Sequence, residues 1–227
     1  MNQTIIQERS SLNQFYAKVY AFVGIGIGLS ALVSALMLTV FQSQLVYFLM
    51  HGRLWLMIAT FAELALVFVA SSMAAKNSPA ALPVFLVYSV LNGFTLSFVV
   101  AFYTPGTVLS AFVSSALLFF VMAAIGIFTK KDLSGMGRAL MAALVGLIIA
   151  MVVNLFLANS FFDYMISIAM VLVFSGLIAW DNQKIRYVYE QSRGQVATGW
   201  IISMALSIYL DFINLFLSIL RIFGRND

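Results

Sequence analysis

Seven stretches of this sequence are too long and too apolar to rest in water. They lie near 19–41, 54–75, 80–103, 107–128, 138–158, 161–180 and 198–220. A helix needs about 20 mainly apolar residues to cross a bilayer. No water serves the backbone inside the hydrocarbon, so apolar runs of this length must be helical to cross. Composition agrees. Of the 227 residues 63% are hydrophobic and 9% charged, against roughly 45–50% and 25% in soluble domains. Only short loops join the runs. The sequence therefore predicts an all-α polytopic membrane protein with seven transmembrane helices. Residues 1–227 form a single integral membrane domain, with residues 1–18 a polar tail.

That tail, MNQTIIQERSSLNQFYAK, lacks the basic-then-apolar pattern of a cleavable signal, so the first span is expected to direct insertion. Orientation follows from the basic residues. With the tail inside, the inner segments hold Arg9, Lys18, Lys76, Lys130, Lys131, Arg138, Lys184, Arg186 and Arg193, and the outer ones Arg53, Arg221 and Arg225. That is nine against three of the twelve Lys+Arg. Re-entry of the last segment would make the split eleven to one, yet its length without Gly or Pro favours a full crossing. The N-terminus is expected in the cytoplasm, so the NQT sequon at Asn2 carries no information.

Several chemistries have no carrier. There is no cysteine, hence no disulfide and no thiolate metal site. One histidine, His51, in the HGR segment between the first two spans, does not make a metal site. GIGIG at 24–28 sits inside an apolar run with no strand before it, unlike a nucleotide loop. Gly24 and Gly28 are instead expected to let two helices approach closely. KKDLSGMG, 130–137, is expected as a charged turn anchoring the inner face. No nucleophile–base pair, metal triad or phosphate loop is visible, so an enzyme is not expected; nor is nucleic-acid binding or a tightly bound cofactor.

Chemistry is therefore sought within the spans. Glu63, Asp181 and Asp211 fall inside or at the end of apolar runs. A central Asp costs about 2.5–3.5 kcal/mol on insertion scales, so such residues face a bundle interior and mark ion or proton paths. In the last span Ser203, Ser207, Asp211, Asn214, Ser218 and Arg221 occupy an arc of about 80° at about 100° per residue. Weaker polar lines join Thr60, Glu63 and Ser71 in the second span, and Tyr88, Asn92 and Thr95 in the third. If the last two spans form a hairpin turning near Gly194, position 181 lies opposite about 207. Asp211 is then one turn away, roughly 6 Å at 1.5 Å per residue. The sixth span must extend to about 190 for this. Two carboxylates that close would share a proton and titrate as a coupled pair. The competing reading is a structural pair tied to a Lys or Arg.

IYLDFINLFLSILRIFG, AWDNQKI at 179–185, NGFTLS at 92–97, Glu63 and KKDLS together resemble the Bax-inhibitor (transmembrane Bax inhibitor motif) family, over nearly the whole chain after the tail. The resemblance implies seven helices with the last one central and wrapped by the other six. It also implies a pH-sensitive, calcium-permeable leak channel using two aspartates, here Asp181 and Asp211, with a basic latch near the inner end of the second span. That region reads SSMAAK, so Lys76 is the nearest substitute, a point charge without the guanidinium fork. Calcium, as the transported ion, takes six to eight oxygens. Asp181 and Asp211 are its expected transient ligands, with Glu63, Asn92, Thr95, Ser207 and Asn214 as supporting polar residues and water completing the shell. The expected partners are the lipid bilayer, calcium and protons. The alternative is a membrane-embedded interaction protein modulating a membrane-bound protease or stress response through its tail and loops. The expected location is a bacterial plasma membrane, or the endoplasmic reticulum if the source is eukaryotic.

Overall fold

The computed structural model describes the backbone of residues 2–226, and the side chains of 11–225 except those at 53, 56 and 64. Asn2, Arg9 and Arg53, which figured in the sequon and charge arguments, have side chains outside that set. Among the described residues there are helices and no strand. They are α1 (Asn2–Thr39), α2 (Gln42–His51), α3 (Arg53–Ala75), α4 (Ala81–Val100), α5 (Pro105–Phe128), α6 (Ser134–Leu157), α7 (Ser160–Gln191) and α8 (Thr198–Phe223), closed by a 3-10 turn, Gly224–Asn226.

Seven of these, all but α2, are long and apolar enough to cross a membrane. The polar stretch read as a tail is helical and continuous with α1. α7 runs past its apolar core to Gln191, as the hairpin required. The segment 42–51 is a helix rather than a loop. Its 10 residues reach only about 15 Å, too short to span. It buries Leu45 and sets Phe48 edge-on to Phe94 and Phe98 of α4, at 6.0 and 6.4 Å.

Local chemistry stops and starts the helices. α3 ends where Asn77 takes φ 51° and the Ser78 N–H reaches back to Met73 O at 2.9 Å, a left-handed C-terminal closure. α7 ends likewise at Arg193 and Gly194, with φ 49° and 78°. Thr104 caps α5 by accepting the Thr107 N–H at 3.3 Å, and Pro105 fills the first helical position, where its missing N–H costs nothing. Asn159 Oδ1 accepts the Phe162 N–H at 3.0 Å and so opens α7.

The chain gathers into two compact units. One comprises residues up to Phe102 together with Tyr189–Tyr209; the other comprises Tyr103–Val188 and Leu210–Asp227. In the first, α4 is the common partner of α1 and α3. Gly93 lets α4 press on α1, since a Cβ there would lie 2.6 Å from Ser30 O. The close approach expected at Gly24 and Gly28 falls elsewhere: a Cβ at either would meet nothing within 4 Å. It is Gly26, on the opposite face, that a Cβ would drive to 2.7 Å from Phe85 Cζ and 2.9 Å from Tyr209 Cδ2. Spacing alone marks an i, i+4 pair but not the side of the helix that meets a neighbour. In the second unit, Gly126 of α5 abuts the Ala179 carbonyl of α7, leaving no room for a Cβ.

Burial separates the spans. In α8, 72% of the most apolar window is buried, against 6% in α6. α6 therefore presents nearly its whole surface outward, including Ile148, Val152 and Phe156.

Candidate functional site

The second unit holds the aspartates. On α7, Ile178, Asp181, Asn182, Ile185 and Val188 are all buried, and their spacing of three and four residues makes one face. Asp181 is thus buried because the helix that carries it turns this face inward. On α8, Asp211 lies among buried Ile208, Phe212 and Leu215. Phe212 in turn packs edge-on against Phe112 and Phe119, at 5.8 and 5.6 Å. The exposures of Asp181 and Asp211 are 6% and 7%.

The polar stripe of α8 resolves into two kinds of group. Asn214 Nδ2 donates to Leu210 O at 2.8 Å and Ser218 Oγ to Asn214 O at 2.7 Å. Both side chains are satisfied by their own helix, four residues back. Ser203 and Ser207 are half-buried. An ionised aspartate has no proton to donate, so its helix cannot serve it in this way. Asp211 Oδ2 is buried with no hydrogen-bond partner. The charges that act on Asp211 are the like charge of Asp181 and the opposite charge of Lys184. Lys184 sits one turn beyond Asp181, with Nζ 5.3 Å from the centre of the Trp180 ring.

The rest of AWDNQKIR is scaffolding. Gln183 Oε1 accepts the Leu133 N–H and its Nε2 donates to Lys131 O, both at 2.8 Å. Arg186 donates to Ile127 O and Thr129 O at 3.3 Å each. These bonds cap the carbonyl end of α5 with a cation, the sign the helix dipole favours there, and tie the KKDLS turn to α7. Asp132 Oδ1 accepts the Ser134 N–H at 2.8 Å. Hydrogen bonds from the Ser134 hydroxyl and backbone hold its carboxyl below the usual range, and Arg138 adds to this.

The first unit joins the two weaker polar lines. Thr95 Oγ1 donates to Glu63 Oε1 at 2.5 Å, and Asn92 also bonds the Glu63 carboxylate. Of the α3 line, Glu63 is half-buried while Thr60 and Ser71 are exposed. Tyr209, fully buried on α8, donates to Asn92 Oδ1 at 2.8 Å and lies 2.6 Å from Ser30 Oγ. Each hydroxyl has one proton. Tyr209 gives its own to Asn92, while that of Ser30 has three acceptors in reach, the Tyr209 hydroxyl at 2.6 Å, Ser89 O at 2.7 Å and Gly26 O at 3.1 Å.

Nothing in the sequence singled out Tyr209 or Ser30, because a tyrosine in an apolar span reads as an interfacial or packing residue. Its burial beside Gly26 is a tertiary fact. Lys76 is exposed at the end of α3. Among the described residues no three His, Cys, Asp or Glu side chains converge as a metal cluster.

Carboxylates buried in apolar helices define the class: a polytopic α-helical membrane protein with ionisable groups in its spans. The chain belongs to the family described as inhibitor of apoptosis-promoting Bax1 (Bax1-I), whose model matches residues 12–227. It is 55% identical over 229 residues to an uncharacterized membrane protein of Streptococcus pyogenes serotype M1, covering 100% of both chains. It is 46% identical over 224 residues to the Lactococcus lactis protein YrjE, covering 98% of this chain and 96% of that one. It is 37% identical over 228 residues to the Escherichia coli inner membrane protein YbhL, covering 99% and 97%.

Proposed function

We propose that the protein is a pH-sensitive, calcium-permeable leak in a bacterial plasma membrane, with its N-terminus cytoplasmic and with Asp181 and Asp211 as proton sensor and transient ion ligands. The observation that carries this reading is the orphaned Asp211 Oδ2, buried in a field to which Asp181 contributes a like charge. A buried polar atom without a partner calls for an explanation such as a water or an ion. The high burial of α8 supports the family arrangement, in which the last helix is surrounded by the others.

Two carboxylates supply a minority of the oxygens calcium takes, so water completes the shell and binding is weak and brief, which suits passage better than storage. Protons compete for the same lone pairs. The pair titrates as a unit, and its charge state sets whether the path is closed. Lys184 is the counter-charge of this unit and takes the place that the resemblance assigned to Lys76. On this reading the protein catalyses no covalent step.

Flux of calcium into liposomes containing the pure protein tests the reading. Native protein is expected to show flux that varies between roughly pH 5 and 8, the range into which buried carboxylates can be moved. Asp211→Asn removes one titrating step and most of that variation, and Lys184→Gln displaces the profile along the pH axis. Native flux no greater than that of empty liposomes at every pH defeats the leak reading. The protease-modulator reading then leads.

A further inference from the structure

At the end of α3 the surface carries a groove of about 480 Å³ lined by Phe68, Val69, Ser72, Met73, Lys76 and Ser78. Its residues recur every three or four positions along α3, so it runs lengthwise down one helix face. The charge is all at one end. Lys76 and the Ser78 hydroxyl form the head, Ser72 and Met73 lie side by side about one turn further down, and Phe68 and Val69 continue the apolar floor below them. From 76 to 68 the floor descends about 12 Å at 1.5 Å per residue, close to the roughly 15 Å depth of one bilayer leaflet.

The head is fixed in place. Asn77 holds φ 51°, and its Oδ1 accepts the Gly199 N–H at 2.7 Å, which anchors the end of α3 to the start of α8. Ser78 Oγ accepts the Ala80 N–H at 3.3 Å and keeps its own proton for another acceptor. Among the described residues no carboxylate is paired with Lys76.

We infer that this groove is a binding site for one anionic phospholipid, the phosphate at Lys76 with Ser72 and Ser78, and an acyl chain along Phe68, Val69 and Met73. A lysine at a membrane surface attracts anionic headgroups, and its ammonium suits phosphate as a point charge. The apolar floor selects a lipid over free phosphate, because it has the length and direction of an acyl chain and offers a free anion nothing. This assignment is independent of the leak reading and gives Lys76 a role outside any latch on the aspartates.

Native mass spectrometry of the full-length detergent-solubilised protein, titrated with phosphatidylglycerol or phosphatidylcholine, tests it. The native chain is expected to retain one phosphatidylglycerol in preference to phosphatidylcholine. Lys76→Gln is expected to weaken that adduct about fivefold, the worth of one basic residue at an anionic surface. Lys76→Arg keeps it, and Ser72→Trp, which fills the groove without removing charge, also loses it. Lys130→Gln removes the same charge elsewhere and leaves it intact. Equal retention of the two lipids, an unchanged adduct in Lys76→Gln, or equal losses in Lys76→Gln and Lys130→Gln each overturn the assignment. So does a tightly held second polypeptide that blocks the adduct. Melting temperatures of all four variants, whose changes are at exposed positions, are expected to match the native one.

Discussion

Replacing Tyr209 with Phe isolates the polar network of the first unit from its packing. The ring contacts survive, since Phe85 and Tyr88 meet the Tyr209 ring edge-on at 5.7 and 5.9 Å. Only the hydroxyl is lost. Ser30 keeps its acceptor in Ser89 O at 2.7 Å, so its proton stays engaged. Asn92 Oδ1 has no such recourse, because its donor was Tyr209. The change therefore costs one hydrogen bond and leaves one buried acceptor unserved, about 1–3 kcal/mol by the usual accounting. Within membranes side-chain hydrogen bonds average about 0.6 kcal/mol with a maximum near 1.7, which places the expectation at about 1–2 kcal/mol. Taking the scale for chains of 150–250 residues, about 2–4 °C per kcal/mol, the melting temperature in detergent should fall by about 2–8 °C. The cycle with Asn92→Leu sharpens the test. If Tyr209 acts through Asn92, the double variant is less destabilised than the sum of the singles by about the coupling energy. An unchanged melting temperature in Tyr209→Phe, or strict additivity in the cycle, refutes the Tyr209–Asn92 hydrogen bond as a stabilising link.

Two further outcomes follow from geometry and charge. Gly26→Ala should destabilise the protein by about 1–3 kcal/mol through overpacking against Phe85 and Tyr209, whereas Gly24→Ala should be neutral or slightly stabilising through helix propensity; thermal unfolding of the two variants side by side decides it, and equal losses would contradict the assigned α1 face. The Asp132 carboxyl is held low by Ser134 and Arg138, so its contribution to the start of α6 is present above the unfolded value of about 3.9 and is lost as pH falls through the lower folded value. A carboxyl ¹³C titration should place its midpoint below about 3.9, moving up in Ser134→Ala, which removes the hydroxyl but keeps the backbone donor; a native midpoint at or above the ordinary value excludes this capping role.

Much of the molecule was legible without coordinates. The number of spans and their helical state are local properties. They depend on run length against bilayer thickness and on the need of each backbone group for a partner within its own segment. The oddity of Asp181 and Asp211 was legible for the same reason, since a carboxylate in an apolar run stands out whatever surrounds it. The short helix α2 was not, because 10 residues with mixed polarity give too little periodicity to separate from a loop. Gln183 lay within the AWDNQKI stretch and Arg186 counted only as an inner charge, and their bonds to the KKDLS turn and the α5 end show them as a clamp.

What the tertiary structure alone decided are the pairings. It chose Gly26 over Gly24 and Gly28, because contact depends on the direction a helix faces and not on residue spacing. It brought Tyr209 and Ser30 to Asn92 and Glu63, linking residues up to 179 positions apart. It set Lys184 among the charges acting on Asp211 and left Lys76 at the head of an open groove. Hydrophobic length is written residue by residue along the chain, so sequence alone determines which segments enter a membrane. A buried polar atom is satisfied by whatever neighbour the fold delivers, so only packing determines which of them remain paired and which, like Asp211 Oδ2, are left open.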